Sequence, residues 1–207
     1  MKKEVTYGLA GIILVLISLI FDKEIILFVS SLRNFYLDYL LISVTFMSQA
    51  VIIFFFLTSL FLWQEHKRKW ILPLWLTLAF STIIGYTLKV LIHRPRPFQI
   101  GLVNVLGIAV YLMKESYLIW NFSFPSFHSL LAFSAVPILN KEFPKFKYVW
   151  FVFASLVAFS RVYFGLHYMS DVIFGAVLGF ILGMQFIVIE ERYQFGERIM
   201  KKFKIKK

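Results

Sequence analysis

Long apolar runs separated by short polar stretches make up most of this chain. A run of ~20 apolar residues is what a helix needs to cross a ~30 Å hydrocarbon core. The pattern predicts six membrane spans, at residues 5–21, 39–63, 70–92, 126–139, 148–164 and 171–189. We therefore expect an all-α integral membrane bundle of six transmembrane helices.

The segments between the spans refine this prediction. No small-residue cleavage site follows the first run, which favours an uncleaved helix over a signal peptide. The fourth span is short unless it continues to Phe143, and Pro144 should end it there. The longest connection, 93–125, has an apolar middle at 100–113 that is too short to span. We predict a helix there, forming an outer loop between helices three and four.

Composition supports a single transmembrane domain covering 1–207. Of the 207 residues, 60% are hydrophobic, whereas soluble domains contain about 45–50% apolar residues. The net charge of +11 comes partly from a basic tail at 190–207. Such a tail after a span is typical of the cytoplasmic side and its anionic lipids, so nucleic-acid binding is disfavoured. The absence of cysteine excludes disulfides and thiolate metal sites.

The distribution of basic residues predicts the orientation. Lysines and arginines concentrate near the N-terminus, at 67–69, at 141–147 and in the tail, and basic residues favour the cytoplasm. Both termini are then cytoplasmic, and the joined ends of helices three to six lie on the outer face. On the sixth helix Gly175, Gly179 and Gly183 form a stripe that permits close helix packing. Packing inside the bundle is favoured over a dimer interface, and the oligomeric state stays open.

Three polar clusters lie at the predicted outer ends. In the first, Lys89 ends helix three, and Arg94 and Arg96 each precede a proline, which favours extended backbone. The chain can then turn back and bring Arg96 toward Lys89. Arginine and lysine together suit a phosphate group, through bidentate hydrogen bonds and a compact charge respectively.

The second cluster opens helix four, where Pro125 suits a first turn and the N–H groups of that turn can hold an anion. Ser126 adds a hydroxyl, and His128 is placed to exchange a proton or simply to cap the helix. In the third cluster His167 and Asp171 are four residues apart. If they share a helical turn, the carboxylate can orient the imidazole. A structural ion pair between Arg161 and Asp171 is the alternative, and it leaves His167 unexplained.

Together the clusters resemble the type 2 phosphatidic acid phosphatase family, membrane lipid phosphatases that share their site with vanadium-dependent haloperoxidases. The family motifs are Lys-x6-Arg-Pro, Pro-Ser-Gly-His and Ser-Arg-x5-His-x3-Asp. The matching residues are Lys89, Arg96 and Pro97; Pro125, Ser126 and His128; and Ser160, Arg161, His167 and Asp171. Phe127 stands where the family has glycine, so the loop uses ordinary backbone angles, or the phosphate sits differently, or the ring lines a lipid route.

The resemblance implies a role for each matched residue. His167 would attack phosphorus and form a phosphohistidine, Asp171 would fix its tautomer, and His128 would protonate the leaving oxygen and then activate water. The implied ligands of the phosphoryl oxygens are Lys89, Arg96, Ser126, Arg161 and backbone N–H groups near Phe127 and His128. No cofactor or metal is implied. The implied location is a cell membrane such as the bacterial inner membrane, with the site on the outer face.

Three rival functions remain at this stage. A metal hydrolase is disfavoured because several cations accompany the histidines and only one carboxylate offsets them. A transporter should place charges at several depths, whereas here they collect at one end of the bundle. A phosphotransferase with the same phosphohistidine is not distinguished from a phosphatase. The expected partner is a membrane lipid carrying a phosphate: undecaprenyl diphosphate, phosphatidylglycerol phosphate, phosphatidic acid or a lipid A phosphate.

Overall fold

The computed structural model describes residues 11, 13–104 and 122–204, and these contain helices and turns but no β-strand, as expected for an all-α protein. The helices are α1 (13–20), α2 (Asp22–Ser31), α3 (Phe35–Met47), α4 (Ala50–Leu62), α5 (Ile71–Ile92), α6 (Phe127–Glu142), α7 (Lys147–Tyr163), α8 (Met169–Tyr193) and α9 (Phe195–Lys204). Short 3-10 helices, Glu65–Trp70 and Pro144–Phe146, lead into α5 and α7.

Several of these helices are long and apolar enough to cross a membrane. Among the described residues three segments qualify by length and composition: Glu65–Ile92, Pro144–Tyr163 and Met169–Tyr193. The pair α2 and α3, bent by 116°, adds a fourth if the two helices form one broken span. The chain is therefore a multi-pass membrane protein, and the count of six spans stays a prediction.

The N-terminal third departs most from the predicted spans. A continuous second span over 39–63 is wrong, because α3 ends at Met47 and α4 begins at Ala50. The hydroxyl of Ser48 donates to the Thr45 carbonyl oxygen at 2.7 Å, which satisfies a carbonyl at the end of α3. The segment 22–38, which lies between the first two predicted spans, contains the helix α2 and the start of α3. Most of the predicted outer-loop helix at 100–113 lies outside the described residues.

Helix α6 is the centre of the bundle, and its length was predicted well. It continues past Leu139 to Glu142, and Pro144 follows its end. Buried side chains occur all around it, so α6 has no lipid-facing stripe. The glycine stripe of α8 packs directly on α6, where a Cβ at Gly179 or Gly183 would overlap a backbone oxygen of α6. The prediction that this stripe packs inside the bundle is confirmed.

The basic segments assigned to one side of the membrane meet at one end of the bundle. Lys67 donates from Nζ to the Glu142 carbonyl oxygen at 2.6 Å. After a left-handed turn at Gln194, α9 returns toward the 3-10 helix before α5. The buried carboxylate of Glu190 holds this turn by accepting from the N–H of Gly196 at 3.0 Å. The opposite end of the bundle carries the three motif clusters.

Candidate active site

His167 lies in the turn between α7 and α8, two residues before α8 begins. Its Nδ1 is 2.6 Å from the carbonyl oxygen of Ser123. Since a carbonyl oxygen only accepts, Nδ1 carries the proton and Nε2 carries the lone pair. Nε2 accepts a hydrogen bond from the Arg96 guanidinium at 3.2 Å. The ring is thus a neutral imidazole whose unprotonated nitrogen faces a cation.

Burial and nearby positive charge both favour this neutral form. The pKa of His167 is held well below its usual range, first by burial and then by the charges of Arg96, Lys89 and Arg161. Burial also lowers the pKa of Arg96 to about 10, so its guanidinium stays charged at neutral pH. Arg96 is anchored by donating to the Leu166 carbonyl oxygen at 2.9 Å. Nε2 of His167 is therefore unprotonated and faces Arg96 before any ligand binds.

Asp171 does not bond directly to His167, contrary to the sequence-based expectation of a shared helical turn. The closest approach, Asp171 Oδ2 to His167 Nδ1, is 3.9 Å. The carboxylate instead accepts from the N–H of Tyr168 at 2.9 Å, from the Arg94 guanidinium at 2.6 Å and from the Ser123 hydroxyl. Asp171 thus connects to His167 through Ser123.

Ser123 is the residue of this site that sequence reasoning missed. It is fully buried, and its backbone N–H donates to the Arg94 carbonyl oxygen at 2.7 Å. Its hydroxyl binds Asp171, and its carbonyl oxygen binds His167. The available signal was a serine three residues before Ser126, in a stretch otherwise made of phenylalanine and proline.

Arg161 is buried at the end of α7 and has donor capacity to spare. Its Nε donates to the hydroxyl oxygen of Ser160 at 3.3 Å, which gives this motif serine a contact. One terminal nitrogen of Arg161 has no hydrogen-bond partner among the described residues. The alternative of an Arg161–Asp171 ion pair is wrong, because Asp171 pairs with Arg94. A buried guanidinium with an unused donor is suited to an anionic ligand.

Lys89 and Phe127 meet on the other side of the site. Lys89 is only 1% exposed, and its Nζ donates to the Phe122 carbonyl oxygen at 2.5 Å. The same Nζ lies 5.5 Å from the centre of the Phe127 ring, a cation–π contact. That ring is buried against Gly85, where a Cβ would come within 3.3 Å of it. The backbone φ angle of Phe127 is not positive, so the chain here uses ordinary backbone angles. This confirms the first of the three explanations for a phenylalanine where the family has glycine.

Ser126 and His128 complete the site at the start of α6. The N–H of Ser126 donates to the Asp171 carbonyl oxygen at 3.1 Å, which ties α6 to α8. The buried Ser126 hydroxyl has no partner in the described part of the chain. His128 is half-buried and close enough to His167 to lower the pKa of that ring. The first-turn N–H groups of α6 add a partial positive charge beside these side chains.

The site is therefore strongly cationic. Lys89, Arg96 and Arg161 surround His167, and the carboxylate of Asp171 is already paired with Arg94. Groups of three or more His, Asp or Glu arranged to hold a metal do not occur in the described residues. An arrangement of this kind binds a tetrahedral oxyanion and stabilises further negative charge on it.

Known proteins share both this sequence pattern and this fold. A sequence profile described as the PAP2 superfamily matches residues 70–194, a range that includes every motif residue. The chain belongs to the PAP2 superfamily. A crystal structure of a PAP2-type phosphatidylglycerolphosphate phosphatase from Bacillus subtilis matches 93% of this chain and 98% of that chain, with 24% identity and a TM-score of 0.71. This likeness establishes the PAP2 fold.

Two relatives show the range of proteins that resemble this PAP2 chain. An undecaprenyl-diphosphatase from Sulfolobus acidocaldarius is 30% identical over 134 residues, which cover 64% of this chain and 61% of that protein. An inositol phosphorylceramide synthase from Candida albicans is 38% identical over 85 residues, which cover 40% of this chain and 18% of that protein. This PAP2 chain thus resembles one protein named for hydrolysis and another named for synthesis.

Proposed function

We propose that this protein is a metal-independent lipid phosphate phosphatase that works through a phosphohistidine. The observation that carries the proposal is the state of His167: Nδ1 carries a proton, which it donates to the Ser123 carbonyl oxygen, and the lone pair of Nε2 faces the Arg96 guanidinium. A phosphoryl oxygen bound by Arg96 would bring its phosphorus within reach of that lone pair.

The first chemical step follows from these positions. The Nε2 lone pair forms the N–P bond, and the bond from phosphorus to the lipid oxygen breaks with its electrons on that oxygen. The negative charge of the bound phosphate offsets the nearby cations and favours protonation of His128, which then donates the proton that makes the leaving group a neutral alcohol or a lipid monophosphate. Lys89, Arg96 and Arg161 balance the charge on the equatorial oxygens.

The second step reverses the role of His128. Now neutral, it accepts a proton from water while the water oxygen bonds to phosphorus and the N–P bond breaks. His167 returns to its neutral form with the proton still on Nδ1, and inorganic phosphate leaves. The unpartnered hydroxyl of Ser126 and the spare nitrogen of Arg161 supply further hydrogen bonds to phosphoryl oxygens.

The membrane setting favours a lipid as the phosphate carrier. Large apolar side chains are exposed on the outward faces of the helices, among them Phe28, Phe55, Ile83 and Leu91, as expected for surfaces in contact with acyl chains. The name of the Sulfolobus relative indicates a polyprenyl diphosphate as one substrate to test. The basic residues at the far end of the bundle favour a site on the outer face.

A phosphotransferase is the second candidate, and the relative named as a synthase supports it. It would use the same phosphohistidine with a lipid or polyol hydroxyl in place of water. The side chains of the site serve either acceptor equally. Products formed with and without added alcohols therefore decide between the two.

The decisive experiment measures phosphate release by the purified protein in detergent. Four substrates should be compared: undecaprenyl diphosphate, phosphatidylglycerol phosphate, phosphatidic acid and a lipid A phosphate. His167→Ala should lose at least about 1,000-fold in kcat, whereas His66→Ala, an exposed histidine at the opposite end, should match wild type. Equal activity of wild type and His167→Ala would refute the mechanism.

Two further measurements test the intermediate and the metal independence. His128→Ala should slow both steps, and with a diphosphate substrate, whose leaving group departs readily without a proton, it should accumulate labelled phosphate in an acid-labile, alkali-stable linkage because the second step lacks its base. Activity should survive strong chelation. Loss on chelation with recovery on adding one particular metal would overturn the proposed chemistry.

A further inference from the structure

Asp22, the first residue of α2, is buried although it lies outside all three motifs and outside the matched range 70–194. The residue is 5% exposed. Its Oδ1 accepts from the N–H of Ser170 at 2.9 Å, and its Oδ2 accepts from Arg94 at 2.7 Å and from the Ser170 hydroxyl. A buried carboxylate with this many donors holds its neighbours in fixed positions.

Arg94 connects Asp22 to the site. Its guanidinium donates from one terminal nitrogen to Asp22 and from the other to Asp171 at 2.6 Å. Its face lies over the Tyr168 ring, 4.0 Å from the ring centre. A planar group paired with two carboxylates and stacked on a ring has a single orientation. Arg94 is therefore committed to the two carboxylates and does not bind the phosphate.

The connection continues to the nucleophile through Ser123. Asp171 accepts from the Ser123 hydroxyl, and the Arg94 carbonyl oxygen accepts from the Ser123 N–H at 2.7 Å. The Ser123 carbonyl oxygen then accepts from His167 Nδ1. An unbroken series of polar contacts thus runs from α2 to the proton on His167.

The net charge of the residues in this series affects the reaction proposed for His167. The group formed by Asp22, Arg94 and Asp171 carries a formal charge of −1 when all three are ionised. Without the Asp22 carboxylate, Arg94 would cancel the charge of Asp171 entirely. Attack on phosphorus turns the imidazole of His167 into a cation, and a net negative charge behind its Nδ1 stabilises that cation.

We propose that Asp22 is a positioning residue for the nucleophile: acting through Arg94, it keeps the negative charge and orientation of Asp171 available to His167. The inference rests on the proposed function, since it concerns the same phosphohistidine. It predicts an effect on the chemical step and little effect on binding of the phosphate anion, which Asp22 does not contact.

The test compares Asp22→Asn with Asp38→Asn in the full chain, purified in detergent and given the best substrate of the panel. Asp38 is a matched control, because it lies in the same N-terminal segment and accepts from the Tyr163 hydroxyl at 2.6 Å. Asp22→Asn should lower kcat about tenfold, a typical size for losing an outer partner of a site histidine. Its KM and its inhibition constant for inorganic phosphate should stay within about twofold or fall. Asp38→Asn should keep the wild-type kcat.

A double-mutant cycle separates positioning from simple docking of α2. In an Arg94→Gln background, Asp22→Asn should lower kcat less than about twofold further, because both changes break the same connection. A further loss as large as in the wild-type background would overturn the proposal. Asp22→Glu, which keeps the charge, should retain more activity than Asp22→Asn.

The test stays decisive in three further cases. Should Asp22→Asn be too unstable to purify, Arg94→Gln alone decides: an unchanged kcat refutes the inference. If wild type releases phosphate but Asp22→Asn has the same kcat, only this inference fails. If wild type releases no phosphate from any lipid of the panel, the proposed function fails first.

Discussion

The Nδ1 atom of His167 lies 2.6 Å from the carbonyl oxygen of Ser123, whereas the nearest carboxylate oxygen of Asp171 is 3.9 Å away. The partner that fixes the tautomer of His167 is thus a backbone carbonyl. Asp171 contributes charge and holds Ser123 in place, but it does not touch the ring. Fixing the tautomer of His167, which was expected of Asp171, is thus done by the carbonyl oxygen of Ser123.

His167 should therefore be neutral, with its proton on Nδ1, across the neutral range. Its pKa is depressed by burial and by nearby cations, so it should not titrate between about pH 8 and about pH 6. Nitrogen–proton correlation spectra of the labelled protein, assigned with His167→Gln, would show the tautomer. A midpoint near the ordinary histidine value, or a proton on Nε2, would contradict the site geometry.

The same shift affects stability with a definite sign. In the unfolded chain His167 binds a proton near its ordinary pKa, whereas in the folded protein it stays neutral to much lower pH. Acidification below that ordinary value therefore favours unfolding. The melting temperature of wild type should fall with decreasing pH more steeply than that of His167→Gln.

Ser160 and Arg161 should act as one unit. The Ser160 hydroxyl oxygen accepts from Nε of Arg161 and so aims the rest of the guanidinium. Arg161→Lys should lower kcat about 100-fold, since a lysine cannot bind both the serine and the phosphate. Ser160→Ala should cost less in wild type and almost nothing beside Arg161→Lys. Equal losses from Ser160→Ala in both backgrounds would show that the serine acts independently.

Phe127 should matter for stability more than for chemistry. Its ring fills the space above Gly85, and Phe127→Ala should lower the free energy of unfolding by about 3 kcal/mol, as for other buried phenylalanines. Phe28→Ala, at a 66% exposed position on α2, is the control and should change the melting temperature little. A thermal shift for Phe127→Ala no larger than that of the control would refute this packing role.

The orientation can be tested directly because the chain contains no cysteine. Ile100→Cys and Lys145→Cys place single thiols at exposed positions near opposite ends of the bundle. In intact cells a membrane-impermeant maleimide should label the first and spare the second. The reverse labelling pattern would place the site on the cytoplasmic face.

The sequence predicted well where these residues lie in the fold, because they occupy the ends of long helices. Lys89 at the end of α5, Ser126 before α6 and Arg161 near the end of α7 follow from motif spacing and apolar periodicity alone. Each of these positions depends mainly on where its own helix begins or ends. Local pattern is sufficient for such predictions.

The parts that sequence did not predict depend on contacts between distant segments. The bonds of Ser123 and of Asp22 join residues far apart in the chain, and no periodicity encodes such pairs. The packing of the Phe127 ring on α6 against Gly85 on α5 is likewise a contact between distant segments, in which the absence of a side chain at Gly85 leaves room for the ring. The break between α3 and α4 was hidden because a two-residue interruption, Ser48 and Gln49, barely changes the hydropathy of a long apolar run.

The short length of α6 sets how deep the chemistry lies. Sixteen residues extend about 24 Å at 1.5 Å per residue, less than a ~30 Å hydrocarbon layer, and any tilt shortens the reach further. Glu142, at the other end of α6, is held level with the basic 3-10 helix by Lys67. From this length we expect the start of α6 to lie below the plane of the neighbouring headgroups. We then expect a lipid that reaches His167 to bring its phosphate below the plane of the neighbouring headgroups.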